Sequence, residues 1–72
     1  MVKTLADGLP EEINRVREIQ DMYKSMRGMP QINVEPAIAL MESSIQNAVK
    51  VAASGDVMEM LRAFEDLKGF EA

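Results

Sequence analysis

Cysteine, histidine and tryptophan are missing from this 72-residue chain. Without cysteine no disulfide can staple it. Without histidine as well, a structural zinc site is not credible. No thiol or imidazole is present to activate Ser43, Ser44 or Ser54, so nucleophilic catalysis has little to work with. The four glycines form no phosphate-binding loop. No apolar run approaches the ~20 residues of a membrane helix. The opening "MVKTLADGLPEE" has no apolar signal region, so a cytoplasmic protein off the membrane is the expectation. These absences predict no enzyme, no cofactor and no metal.

What remains is a balanced helical composition, 47% hydrophobic and 28% charged. A chain this short buries only about 60% of the surface its unfolded form exposes. Well-packed helices or oligomerisation must therefore supply stability. The net charge of −4 is unevenly placed. Residues 1–33 carry five bases and five acids; residues 34–72 carry three bases and seven acids. An acidic second half disfavours nucleic acid, whose phosphates repel it.

The pattern predicts a single helical domain with three helices, over about 10–27, 34–54 and 57–68, after a flexible arm at 1–8. Pro10 suits a first turn because its missing N–H would have no partner there. Glu11 and Glu12 then meet the positive end of the helix dipole. Val16, Ile19, Tyr23 and Met26 share one face, widened by Ile13 and Met22. Gly28 can take a left-handed cap, and Pro30 forbids continuation. Asn33 is the expected N-cap of the second helix. There Ile38, Met41, Ile45, Ala48 and Ala52 recur at three and four, with Val34 and Val49 broadening the stripe. Ser43, Ser44, Gln46, Asn47 and Lys50 lie mainly off it.

The stretch "VAASGDVMEMLRAFEDLKGF" raises the question of one helix or two. Continued past Gly55, the second stripe would meet Glu59, Ala63 and Asp66. The apolar residues stand instead at Val57, Met60, Phe64 and Leu67, roughly 130° around the axis. Gly55 suits a stop, Asp56 an N-cap, and Glu59 the third position of a capping box. A turn at 54–56 is predicted. The first two helices span on the order of 27–31 Å and the third about 18 Å. The third then covers roughly half of an antiparallel hairpin and leaves the rest of its groove open.

Two features invite a functional reading. Met22, Met26 and Met29 follow one another at helical spacing; methionines fill irregular cores, and they also build adaptable binding faces. Glu59, Glu65 and Asp66 form a solvated acidic face, since adjacent residues point apart and no Glu-x-x-His helix opposes them. A helix-turn-helix at "SGD" would offer the major groove "VMEMLRAFEDLK", with three acids and two bases, a poor reading helix. A small patch from Arg17, Lys24 and Arg27 is diluted by Glu18 and Asp21.

The segments "GLPEEINRVREIQDMYKSM" and "AASGDVMEMLRAFEDLKGFE" resemble small helical proteins of proteobacterial phages and prophages. The resemblance covers most of the chain and rests on helix pattern and the "GD" turn. It implies an accessory or regulatory binding protein and carries over no functional residue.

The expected fold is all-α: an antiparallel helical hairpin plus a short third helix, completing a helical bundle by dimerisation. The expected function is a protein–protein interaction module, a homodimer or a subunit or inhibitor of a larger protein. A small DNA-associated regulator is the alternative. The expected interface lies around Met41, Ile45 and Ala48, adjoined by Tyr23, Met60 and Phe64.

Overall fold

Thr4 opens the first helix. Its Oγ1 accepts a hydrogen bond from the Asp7 N–H at 3.3 Å, satisfying one donor of the first turn. The computed structural model describes residues 4–71, and α1 runs Leu5–Ser25 within it. The helix thus starts five residues before Pro10 and ends two before Arg27. Residues 4–8 are no arm; residues 1–3 of the expected arm lie outside the described residues. Pro10 sits inside α1, so the Ala6 carbonyl lacks its helical N–H donor. Both residues are exposed, which leaves that carbonyl open to water. The early turns are anchored from below: Leu9 is fully buried, and Leu5 packs against the core. Gly8 allows a close approach, because a Cβ there would stand 3.3 Å from Cε2 of Phe64.

A connection with Gly28 at φ 90° leads to α2, Glu35–Ser54. Val34, not Asn33, is the capping residue, and its side chain caps nothing. Asn33 still contributes, since its Oδ1 accepts from the Glu35 N–H at 3.2 Å. Across the connection Arg27 grips both carboxylate oxygens of Glu35.

Helix α2 stops where the stripes fall out of phase. Gly55 adopts φ 74°, in the left-handed region. Asp56 then caps α3, Val57–Lys68, its Oδ1 accepting from the N–H groups of Met58 and Glu59 at 3.1 and 3.2 Å. The reciprocal half of the expected capping box is absent from this turn. The Asp56 N–H goes to Ser54 Oγ at 3.2 Å, and Glu59 pairs with Arg62 instead.

All described regular structure is helical, and each helix packs against both others. The core joins Leu9, Ile13, Val16 and Ile19 of α1 to Met41, Ile45, Ala48 and Val51 of α2. Met60, Ala63 and Leu67 of α3 complete it. Four stripe assignments change: Met22, Val49 and Val57 are exposed, while Ser44 is buried.

Most residues of the expected interface are drawn into this packing. Met41, Ile45 and Ala48 are 2%, 0% and 0% exposed within a single chain, and Met60 is buried beside them. Tyr23 and Phe64 are partly buried against the same core. The reason is that α1 and α3 pack on the stripe of α2 from within the chain. A contact through Met41, Ile45 and Ala48 would require the core to open.

Candidate interaction surface

Arg15 marks how far α3 reaches. Its Nη1 donates to the Phe70 carbonyl at 2.7 Å and its Nη2 to the Leu67 carbonyl at 2.8 Å. Its Nε donates to Glu12. A guanidinium fork on carbonyls at and just past the end of a helix opposes the negative end of the dipole. The end of α3 is thereby tied to the level of Arg15. Helix α1 continues ten residues further to Ser25, roughly 15 Å at 1.5 Å per residue. The opening turns of α2 accompany it without a third helix above them.

Gln20 fixes the pairing of the two long helices at this level. Buried itself, it donates through Nε2 to the Ile38 carbonyl at 3.2 Å and to Glu42 Oε1 at 3.0 Å. Gln46 donates to the other oxygen of Glu42 at 2.8 Å. These two bonds, Gln46 first, hold the Glu42 carboxyl below the ordinary value of 4.5, helped by Arg17 and Lys24 and opposed by desolvation. Two of the three bases read as a patch therefore act on Glu42, and the third, Arg27, is paired with Glu35.

The uncovered side can be read from helical geometry. Met22 lies seven residues after Arg15, two turns on, so it projects from the side of α1 that reaches α3. Ser44 and Val51 are buried on the side of α2 opposite Glu42, away from α1. Leu40 stands one turn before Ser44 in the same row, beyond the cover of α3. The exposures follow: Met22 is 52% exposed and Leu40 61%. Tyr23, Met26 and Ala37 are partly buried between them. The connection adds Met29 and Ile32, each 49% exposed, around a shallow hollow of about 300 Å³ shared with Pro30 and Gln31. The result is a set of exposed apolar side chains on the stretch of the hairpin beyond the end of α3.

Charge around this end is nearly balanced. Residues 16–42 hold Arg17, Lys24 and Arg27 against Glu18, Asp21, Glu35 and Glu42, three bases to four acids. The other described charges, all toward the turn end, are four bases and eight acids. That acidic end has its own exposed apolar residues, Val57, Met58 and Leu61. It also holds a hollow of about 340 Å³ lined by Leu5, Gly8, Glu12 and Phe64 among others. The Lys68 ammonium lies 5.3 Å from the centre of the Phe64 ring.

The sequence pointed to Met22, Met26 and Met29 and to an open groove, but not to Leu40 or Ile32. Leu40 is the single leucine of α2 and falls between the polar and apolar rows. That isolation was the available signal. Nothing in the spacing of Arg15 announced its role. Among the described residues no three acidic side chains gather closely enough to hold a metal ion. No described helix is long and apolar enough to cross a membrane.

The chain matches no protein-family model, no curated protein and no solved structure.

Proposed function

We propose that this chain is a small, non-enzymatic protein–protein interaction module whose docking surface is the hairpin end left uncovered by α3. One observation carries the reading: Met22, Met29, Ile32 and Leu40, each about half exposed or more, all fall on the stretch of α1, connection and α2 beyond the end of α3. Contiguous apolar surface rimmed by charge marks association sites on small proteins. Methionine walls adapt to the shape of what they receive. Helical grooves of this kind accept helical partners. The resemblance to phage and prophage proteins fits an accessory or regulatory role of the same sort. The module acts by occupying a surface, as part of an assembly or as an inhibitor.

The test is site-directed photo-crosslinking in the native cell. A benzophenone side chain replaces Leu40 in one variant and the exposed Glu65 in another. Position 40 should give a discrete adduct that position 65 does not. No adduct at either position, or the same adduct at both, would defeat the hairpin end as a docking surface.

A further inference from the structure

We infer that the outer face of α3, at the turn end, is a second docking surface, and that it receives a basic amphipathic helix of another protein. The inference does not rest on the hairpin end. It starts from the placing of three side chains. Val57, Met58 and Leu61 are 66%, 61% and 42% exposed. Met58 and Leu61 stand three residues apart and Val57 and Leu61 four, so all three are neighbours on one helix surface. That surface lies off the core row of Met60, Ala63 and Leu67. Phe64 follows Leu61 three residues on, half-buried, and borders the hollow of about 340 Å³ that Leu5 and Gly8 of α1 also line. The apolar row thus runs from the start of α3 to a recess beside α1.

Charge selects the occupant. Setting aside Glu11 and the ion pairs Arg15–Glu12 and Arg62–Glu59, the described turn end keeps two bases against five acids. Two of those acids bracket the apolar row. Glu65 lies on it, four residues after Leu61 and seven after Met58, exposed and with no partner among the described residues. Asp56 stands at its start, and its carboxylate accepts from the N–H groups of Met58 and Glu59 rather than from a cation. The Lys68 ammonium lies over the Phe64 ring, 5.3 Å from its centre, and does not neutralise Glu65. A nucleic acid, an anionic membrane or a second acidic turn end would bring like charge to this face. A helix with apolar residues on one side and lysine or arginine beside them brings the opposite sign. Its ridge of side chains also packs between those of α3 as helices do. Among the described residues no strand edge exists for an extended peptide to join.

Fluorescence anisotropy with the purified full chain tests this. The probe is a labelled peptide of about 15 residues, long enough to form a helix, with leucines on one face and lysines on the other. It should bind at roughly tens of micromolar protein in physiological salt, and the same peptide with glutamate for lysine should not. Val57→Gln combined with Met58→Gln should weaken binding roughly tenfold or more. Both sites are exposed, so the circular dichroism melt should stay close to that of the unmodified chain. Glu65→Gln should also weaken binding, and by less as salt is raised. Asp66→Asn, about 100° around the helix from Glu65, should weaken it less. Leu40→Gln at the hairpin end should leave it unchanged, so the two surfaces stand or fall separately. In the crosslinking experiment, likewise, any adduct at position 65 is a different protein from that at position 40. No binding of the lysine peptide would overturn the inference. So would binding that survives the double variant, equal losses in Glu65→Gln and Asp66→Asn, or equal binding of the glutamate peptide.

Discussion

Two polar side chains, Gln20 buried and Arg15 partly exposed, organise this small fold around its apolar core. Arg15 ties α1 to the end of α3 through two carbonyls, and Gln20 ties α1 to α2 through a carbonyl and a carboxylate. Removing the arginine fork leaves the Leu67 and Phe70 carbonyls without that donor. Arg15→Ala should cost about 1–2 kcal/mol in urea unfolding, below the full value of a charged hydrogen bond because the side chain is partly exposed. Arg15→Lys should recover little, since an ammonium cannot span both carbonyls as a fork does. Amide exchange along the last turn of α3 should quicken in both variants. Glu42 gives a pH signature. Its carboxyl is held below the ordinary value of 4.5 in the folded chain, so it contributes stability above that value. The contribution is lost as pH falls through the lowered folded value. Glu42→Gln should therefore lose less stability than the unmodified chain when thermal melts at neutral pH are compared with melts in acid.

Local chemistry made some elements legible and obscured others. The turn at Gly55 and Asp56 was readable because two independent signals agree there, a phase jump in the apolar stripe and a stop–cap pair. The observed α3, Val57–Lys68, coincides with the predicted span. The start of α1 was hidden because Gly8 and Pro10 look like breakers. Thr4, Leu5 and Leu9 outweigh them through a cap and buried side chains. A single missing hydrogen bond near an exposed helix start is a small cost beside the burial of a leucine, roughly 1.5–3 kcal/mol. The turn itself yields a prediction. Asp56→Ala should destabilise by about 1 kcal/mol through loss of the cap. Gly55→Ala adds about 1–2 kcal/mol, because φ 74° is strained for any residue with a Cβ. The double variant should not gain stability as one long helix, since its apolar stripes stay out of phase. Chemical denaturation of the three variants checks this, and a more stable double variant would refute it.

At the scale of the whole molecule, periodicity showed which helix faces are apolar but not which parts of those faces are covered. Leu40 and Ser44 stand one turn apart in the same row of α2, yet one is 61% exposed and the other 9%. That difference depends on where α3 ends, and α3 ends where Arg15 holds it. The general expectation of an uncovered groove followed from helix lengths, while the residues first assigned to an interface lie inside the chain. The methionines offer a direct readout of this partition. Thioether oxidation requires access of the oxidant, and it turns a flexible apolar side chain polar. Mild peroxide followed by peptide mass spectrometry should modify Met22, Met29 and Met58 first and Met41 and Met60 last, following their exposure.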